Sequence, residues 1–459
     1  MKTINLKVIR ITAVIGFVFL SFKVSKSQEM LNNYIQYGLQ NNLVLKQKNI
    51  SLEKAQISLK EAKGLFLPSL NFNASYLSGE GGRYFNFPLG DIINPVYQTL
   101  NQLTQSNSFP QIANAEAYLN PNNFYDAHLR ASMPLINTDL YYNQNIQKKQ
   151  ITLQEFEVDI YKRDLVKNIK IAYYNYLSAI AAVDIYKSAL ILVNKNKEVN
   201  ESLLKNGKGL PASVLRSKSE YEKVNSALIN AENKAINARN YFNFLINKNL
   251  DSNIDIDSNL DQQLENKLNL LSQQADFQNR EELKSIKQVE QLYQTQLKMN
   301  QNFWTPKLNT FIDLGTQAED FVINDKSKYY LFGLQLDIPI FNGFKNQYKI
   351  QKTKLELSNT QINTQLISQQ LQLSVEMANN ALKSAFADYL SAQKQQQSAE
   401  SYFKLLETGY REGSFSLIEF LDARNQLTSA SINQTITKYK VFQALANQER
   451  ETANYNLKP

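Results

Sequence analysis

The chain has 459 residues, with 50 Lys and Arg against 42 Asp and Glu, a formal net charge of +8 and 43% hydrophobic residues. It has no cysteine, which excludes disulfides, thiol chemistry and lipobox acylation. Five of the positive charges (Lys2, Lys7, Arg10, Lys23 and Lys26) lie in an N-terminal segment that holds no acid, leaving +3 for the rest. No basic cluster is interleaved with aromatics, so nucleic acid is not an expected partner.

Lys2, Lys7 and Arg10 precede an apolar run from Ile11 to Leu20, followed by Ser25, Ser27 and Gln28. This order predicts a signal peptide over residues 1–28. The run is shorter than the roughly 18–20 residues a spanning helix needs. No later stretch reads as a membrane helix, so membrane entry would require strands closed into a barrel.

A helical segment is expected from Glu29 to Lys63, and Pro68 marks its junction with a strand over residues 69–80. There Leu70-Asn71-Phe72-Asn73-Ala74-Ser75-Tyr76 alternates strictly, as a half-buried strand requires. Residues Glu80 to Asn123, rich in Asn, Pro and Gly, read as a long loop. The return strand, 124–135, places Tyr125, Ala127, Leu129, Ala131 and Met133 opposite Asp126, His128, Arg130 and Ser132, with Pro134 at its end. One apolar and one polar face suits a barrel strand between lipid and a wet lumen. A soluble sandwich strand alternates in the same way. Four such strands among long helices, behind a signal peptide, favour the barrel.

A very long helix follows over about 143–206, roughly 95–100 Å at 1.5 Å per residue. Val166, Ile169, Tyr173, Tyr176, Ile180, Val183, Lys187 and Leu190 recur by threes and fours, the spacing of coiled-coil packing. The helix turns at Gly207 and returns over 211–245. Residues 251–278 break the pattern and read as a connecting, equatorial element.

The plan then repeats. A helix is expected over 279–303, then Trp304, Pro306, strands over 308–318 and 328–340, and Pro339. A second long helix runs over 346–411, turns at Gly413 and returns over 415–453. Leu45 and Leu283, Leu59 and Leu297, and Pro68 and Pro306 share an offset of 238; Gly207 and Gly413, and Leu215 and Leu421, share one of 206. Constant offsets predict two repeats, 29–250 and 279–459.

These landmarks together resemble TolC-type outer-membrane efflux proteins. The resemblance rests on Leu67-Pro68-Ser69-Leu70 and Thr305-Pro306-Lys307-Leu308, on Pro134-Leu135-Ile136-Asn137 and Pro339-Ile340-Phe341-Asn342-Gly343, and on the tip motif from Gly413 to Arg424. It implies a mainly α fold with a membrane β-barrel. In a homotrimer, each protomer would give four strands to one twelve-stranded barrel, continued by an α-helical periplasmic barrel. It further implies an exit duct in the bacterial outer membrane, serving a tripartite efflux or type I secretion system. The partners would be a periplasmic adaptor and an inner-membrane transporter, and the surroundings outer-membrane lipid. A periplasmic coiled-coil adaptor is the alternative, although adaptors lack duplicated strand pairs.

The resemblance also implies site residues. Glu419 and Asp422 match acids that ring the pore constriction, and Tyr410 matches a tyrosine that helps hold the closed state. On the residues alone, the two acids equally suit a helix N-terminus whose dipole they complement. The chain departs from the family at Phe415, where a basic gating partner is common, and at Ser213, where an acid sometimes stands. Gly207 and Gly413 mark the adaptor-docking tips. Pro68, Pro134, Pro306 and Pro339 mark the membrane junction, with Trp304 as an interfacial anchor or a packed junction residue. His128, the only histidine, has no second ligand nearby in sequence, and no nucleotide, zinc or nucleophile motif appears. No enzyme activity, cofactor or metal is therefore expected.

Overall fold

The computed structural model describes residues 27–120, 122–256 and 277–457. The expected signal peptide, except for its last two residues, and residues 257–276 of the expected connecting element lie outside that range. In chain order the elements are α1 (Ser27–Asn41), α2 (Leu43–Gly64), β1 (Ser69–Leu77), β2 (Tyr84–Phe87), α3 (Leu89–Thr104), β3 (Ala115–Tyr118) and β4 (Phe124–Ile136). Then come α4 (Thr138–Lys205), α5 (Pro211–Leu245), α6 (Glu281–Gln301), β5 (Lys307–Glu319), β6 (Lys328–Asp337), α7 (Lys345–Arg411) and α8 (Leu417–Glu451). They form two compact units, a sheet unit from residues 56–148 and 292–356 and a helical unit from the remainder.

In the sheet unit four strands pair antiparallel in the order β1-β4-β5-β6. The register puts Leu70, Ala131, Ile312 and Phe332 in one cross-strand row, and Phe72, Leu129, Leu314 and Tyr330 in the next. Because side chains alternate with period two, one face is mostly apolar, interrupted by Thr310, Thr316 and Lys328. The other face carries Asn71, Asn73, Asp126, His128, Arg130, Asp313 and Gln335. There the Phe311 ring lies over Gly333, where an added Cβ would meet it at 2.4 Å. The Arg130 guanidinium sits 4.8 Å from the same ring and forks onto Asp313 with two 2.7 Å bonds. Asp126 accepts from Tyr329 at 2.9 Å and lies 3.1 Å from His128 Nδ1.

Proline positions follow from the donor that proline lacks. Pro68 and Pro306 directly precede β1 and β5. Pro134 lies beyond Ser132, the last β4 residue paired with β1, and next to a register shift against β5. Pro339 falls outside β6, which ends at Asp337, so the expected strand over 328–340 is shorter than its alternation suggested. Trp304 is exposed just before β5.

Two further expectations are corrected in these elements. The single helix over 29–63 is two, because the Asn42 side chain accepts from the Leu45 N–H at 2.9 Å and caps a new start. Its amide also donates to the Leu245 carbonyl, so the break is tied into the core. Residues 80–123 are not a plain loop but hold α3 and the β2–β3 ribbon.

The helical unit has one main core. Tyr34, Ile35 and Leu45 meet Ile169, Tyr173 and Leu177 of α4, Phe242 of α5, Leu382 and Phe386 of α7, and Val441 and Phe442 of α8. Tyr34 meets Phe242 edge-on at 5.2 Å, and Tyr174 stacks on Phe442 at 4.9 Å. Contrary to expectation, α4 does contain an 18-residue window apolar enough to cross a membrane. Only 28% of that window is buried; within it Tyr176 and Leu177 join this core, and Val183, Ala189 and Val193 pack in small clusters against α5.

A charged cluster fastens the chain's last helix. Arg163 forks onto Glu281 at 2.5 and 2.8 Å; Arg450 bridges Asp164 and Glu282; Arg280, almost fully buried, pairs with Glu282 and Glu451. Burial alone would push the Glu281 carboxyl up, but the Arg163 fork outweighs it, and the net displacement is below the ordinary 4.5. A carboxylate lowered in this way stabilises the fold above its unfolded pKa, and that contribution disappears as pH falls through the lowered value. Thermal melts of the detergent-solubilised protein should therefore drop between about pH 5 and pH 3, and Glu281→Gln should flatten that drop. An unchanged slope in the variant would show that the pair does not carry it.

Candidate functional site

The expected constriction residues lie in the helical unit, where two helical hairpins turn. Both turns are built alike. After α4, Gly207 has φ +69°, its N–H bonds to the Leu204 carbonyl, and the Lys208 N–H bonds to that of Leu203. After α7, Gly413 has φ +80°, with matching bonds from Gly413 to Tyr410 and from Ser414 to Gly409. This is the Schellman ending, which needs a left-handed residue and so selects glycine.

The returning helices start differently. α5 begins with Leu210 and Pro211 and has no side-chain cap, while Ser213 is half-buried in its first turn. α8 begins with a complete capping box, in which Ser416 Oγ accepts from the Glu419 N–H at 3.3 Å. The Glu419 carboxylate accepts from the Ser416 N–H and hydroxyl, each at 2.8 Å. Those bonds hold its pKa below the usual value, so Glu419 is ionised at neutral pH. Its carboxylate is exposed. Asp422, one turn on and also exposed, accepts from Gln426 at 3.0 Å. The signal for the box was present in sequence as Ser-x-x-Glu before an apolar pair, a pattern the dipole argument left unused.

Tyr410 does not reach toward these acids. It stacks on Phe420 at 4.9 Å within a small core that includes Phe403, Leu406 and Leu421. Phe415 lies across Gly409, where an added Cβ would meet its ring at 2.3 Å. The position that is often basic in the family therefore packs the turn. A groove of about 440 Å³ separates the two hairpin ends, lined by Leu192, Asn196, Val199 and Leu203 on α4 and by Tyr410 and Phe420 opposite.

One pairing between the hairpins was not visible in sequence. Arg424 of α8 is 2% exposed and donates to Glu220 of α5, 4% exposed, at 3.0 Å. Its Nε and Nη1 are buried without a partner. Its nearest sequence cue, a lone arginine on a helix, points nowhere, because the partner is some two hundred residues away. Among the described residues no cluster of His, Asp and Glu is arranged to hold a metal ion.

The fold, with a four-stranded antiparallel sheet in one unit and paired helical hairpins in the other, is similar to that of solved outer-membrane channels. It matches the Campylobacter jejuni CmeC outer membrane channel with a TM-score of 0.70 at 17% identity, covering 92% of this chain and 85% of that one. It matches the open state of the Neisseria gonorrhoeae MtrE outer membrane channel at 0.70 and 15%, covering 92% and 88%. The Vibrio cholerae outer membrane protein VceC matches at 0.69 and 14%, covering 92% and 96%. No curated protein sequence matches the chain. Residues 271–449 match the model of the outer membrane efflux protein family.

The buried ion pair gives a direct test. Glu220→Ala strands a buried guanidinium and should cost about 3–5 kcal/mol. Arg424→Met combined with Glu220→Leu removes both charges and should cost much less. Chemical denaturation of the detergent-solubilised protein measures both, and equal losses would remove the pair from the account.

Proposed function

We propose that the protein is an outer-membrane exit duct, a passive channel of a tripartite efflux or type I secretion system. Three copies close one twelve-stranded barrel and continue it as a helical tunnel into the periplasm. The observation that carries this reading is the apolar face of a sheet whose outer strands, β1 and β6, each pair on one side only. Along β5 this face runs from Leu308 to Ala318, with Thr310 and Thr316 among Leu308, Ile312, Leu314 and Ala318. Ten steps of about 3.4 Å, tilted by about 40°, rise about 26 Å, close to the roughly 25 Å apolar band of such barrels. The face has aromatics at one end, where Phe321 stacks on Tyr76 and Tyr125. The other end of the strands leads to exposed Trp304, Phe341 and Phe344.

The helices support closure by further copies. Ile362, Leu366, Leu373 and Met377 of α7 are exposed and recur by fours and sevens. Such a stripe fits a neighbouring helix in a lateral seam. At the periplasmic end, three copies of Glu419 and Asp422 form carboxylate rings that favour cations in a narrow entrance. The glycine turns at 207 and 413 present the tips to an adaptor, which joins the duct to an inner-membrane transporter.

In detergent the protein should run as a trimer and insert into planar bilayers as a conducting pore. Leu366→Glu with Leu373→Glu should abolish the trimer while leaving helix content intact. Glu419→Ala with Asp422→Ala should raise the divalent-cation concentration needed to block conductance. A conducting trimer with unchanged block would remove those two acids from the constriction.

A further inference from the structure

The segment joining β1 to β4 is a small structure of its own. One face of α3 packs on the extended residues 106–114. Tyr97 meets Phe109 at 5.7 Å, and two asparagines clamp the passing backbone. Asn94 bonds both N–H and carbonyl of Ile112, and Asn101 does the same to Phe109. The helix is thereby fixed, yet a second stripe on it is bare: Leu89, Ile92, Val96 and Leu103, the last three 64%, 55% and 76% exposed. The adjoining β2–β3 ribbon has Tyr84 and Tyr118 on one face and Phe85 and Phe87 on the other, all exposed. A two-stranded ribbon is marginal by itself, and apolar residues on both faces call for a partner.

We propose that the partner is the same segment in further copies of this chain, three α3 helices meeting through their bare stripes to narrow the outer mouth of the barrel. This rests on the channel reading above, and three observations favour it over a lipid surface. Helices that lie on membranes carry Lys or Arg on their polar face. The exposed polar positions of α3 are Gln98, Thr99, Gln102 and Thr104, and its only charge is Asp91. The segment from Ser78 to Asn123 has three acids (Glu80, Asp91 and Glu116) against Arg83, which suits an anionic leaflet poorly. Its strand ends, Leu77 and Phe124, lie at the end of the sheet opposite the ends that lead to α2 and α4, hence at the outer mouth in a closed barrel. The sizes agree as well. Twelve strands about 4.8 Å apart and tilted by about 40° enclose a mouth about 24 Å wide. Three helices about 10 Å thick, standing side by side, make a bundle about 22 Å across, so three copies of the 16-residue α3 fit over it.

The chain has no cysteine, so single introduced thiols report cleanly. In the full-length trimer, Val96→Cys on the bare stripe should be joined by a bis-maleimide into covalent dimers, and Gln98→Cys should not. Ile92→Asp with Val96→Asp should leave the trimer intact and raise single-channel conductance. The wild-type trimer and its conductance, measured in the same preparation, test the channel reading separately. A conducting trimer in which Val96→Cys stays uncrosslinked and the Asp variant conducts as wild type overturns the cap. So does quenching by brominated lipid of a Val96→Trp fluorophore in a Trp304→Phe background, which removes the chain's own tryptophan; such quenching would place the stripe in the bilayer.

Discussion

Backbone hydrogen bonding is the constraint on which the remaining features depend. A sheet can set one apolar face against hydrocarbon only if none of its peptide groups is left unpaired, since each orphan costs several kcal/mol there. In one protomer β1 and β6 each retain an unpaired edge. Within the channel reading, those edges meet on neighbouring copies, β6 of one beside β1 of the next. The same closure covers the α7 stripe at Ile362, Leu366, Leu373 and Met377. In that reading the same copies cover both sheet edge and helix stripe, and symmetry satisfies both without extra sequence.

The two repeats keep their geometry where it is structural and lose it where it is not. The Schellman turns at Gly207 and Gly413 share both defining hydrogen bonds, and the second adds one from the Phe415 N–H to the Gly409 carbonyl. The starts of the returning helices differ, with proline at 211 and a capping box at 416–419. The Arg424–Glu220 pair then ties α8 of one repeat to α5 of the other. Two of its buried donors lack partners, so its attraction is not matched by full desolvation recovery.

Much of this architecture was legible because strong local signals set it. Proline cannot donate, so Pro68 and Pro306 announce strand starts, and alternation after each announces the exposed face. Glycine alone accepts the left-handed turn readily, so the tips were legible too. What was missed had competing or distant causes. Asn42 splits a helix by capping it from within an otherwise helical pattern. In α3, Pro95 and the surrounding Asn and Gly suggested loop, although Ile93, Tyr97 and Leu100 recur at helical spacing. The Glu220–Arg424 contact pairs residues 204 apart, and no short pattern encodes it. Family resemblance assigns Tyr410 to the gate and marks Phe415 as a departure from it; the fold adds that the Tyr410 ring stacks on Phe420 and the Phe415 ring lies across Gly409.

Charge placement separates the two ends of the proposed duct. On the polar face of the sheet, the Arg130 guanidinium is neutralised by Asp313, and Asp126 is shared between His128 and Tyr329. A lumen about 24 Å wide filled with electrolyte screens what charge remains, because the Debye length is about 8 Å at physiological salt. At the hairpin tip the situation is reversed. Glu419 is held by neutral donors from Ser416, and Asp422 by the neutral amide of Gln426, so hydrogen bonds orient both charges without cancelling them. In the channel reading, where helices draw together within a Debye length, three pairs of such carboxylates act as one field. The capping box and the constriction acid are therefore not rival roles for Glu419. The box fixes the carboxylate at the helix end and keeps it ionised, and an acid fixed in that way is what an electrostatic entrance requires.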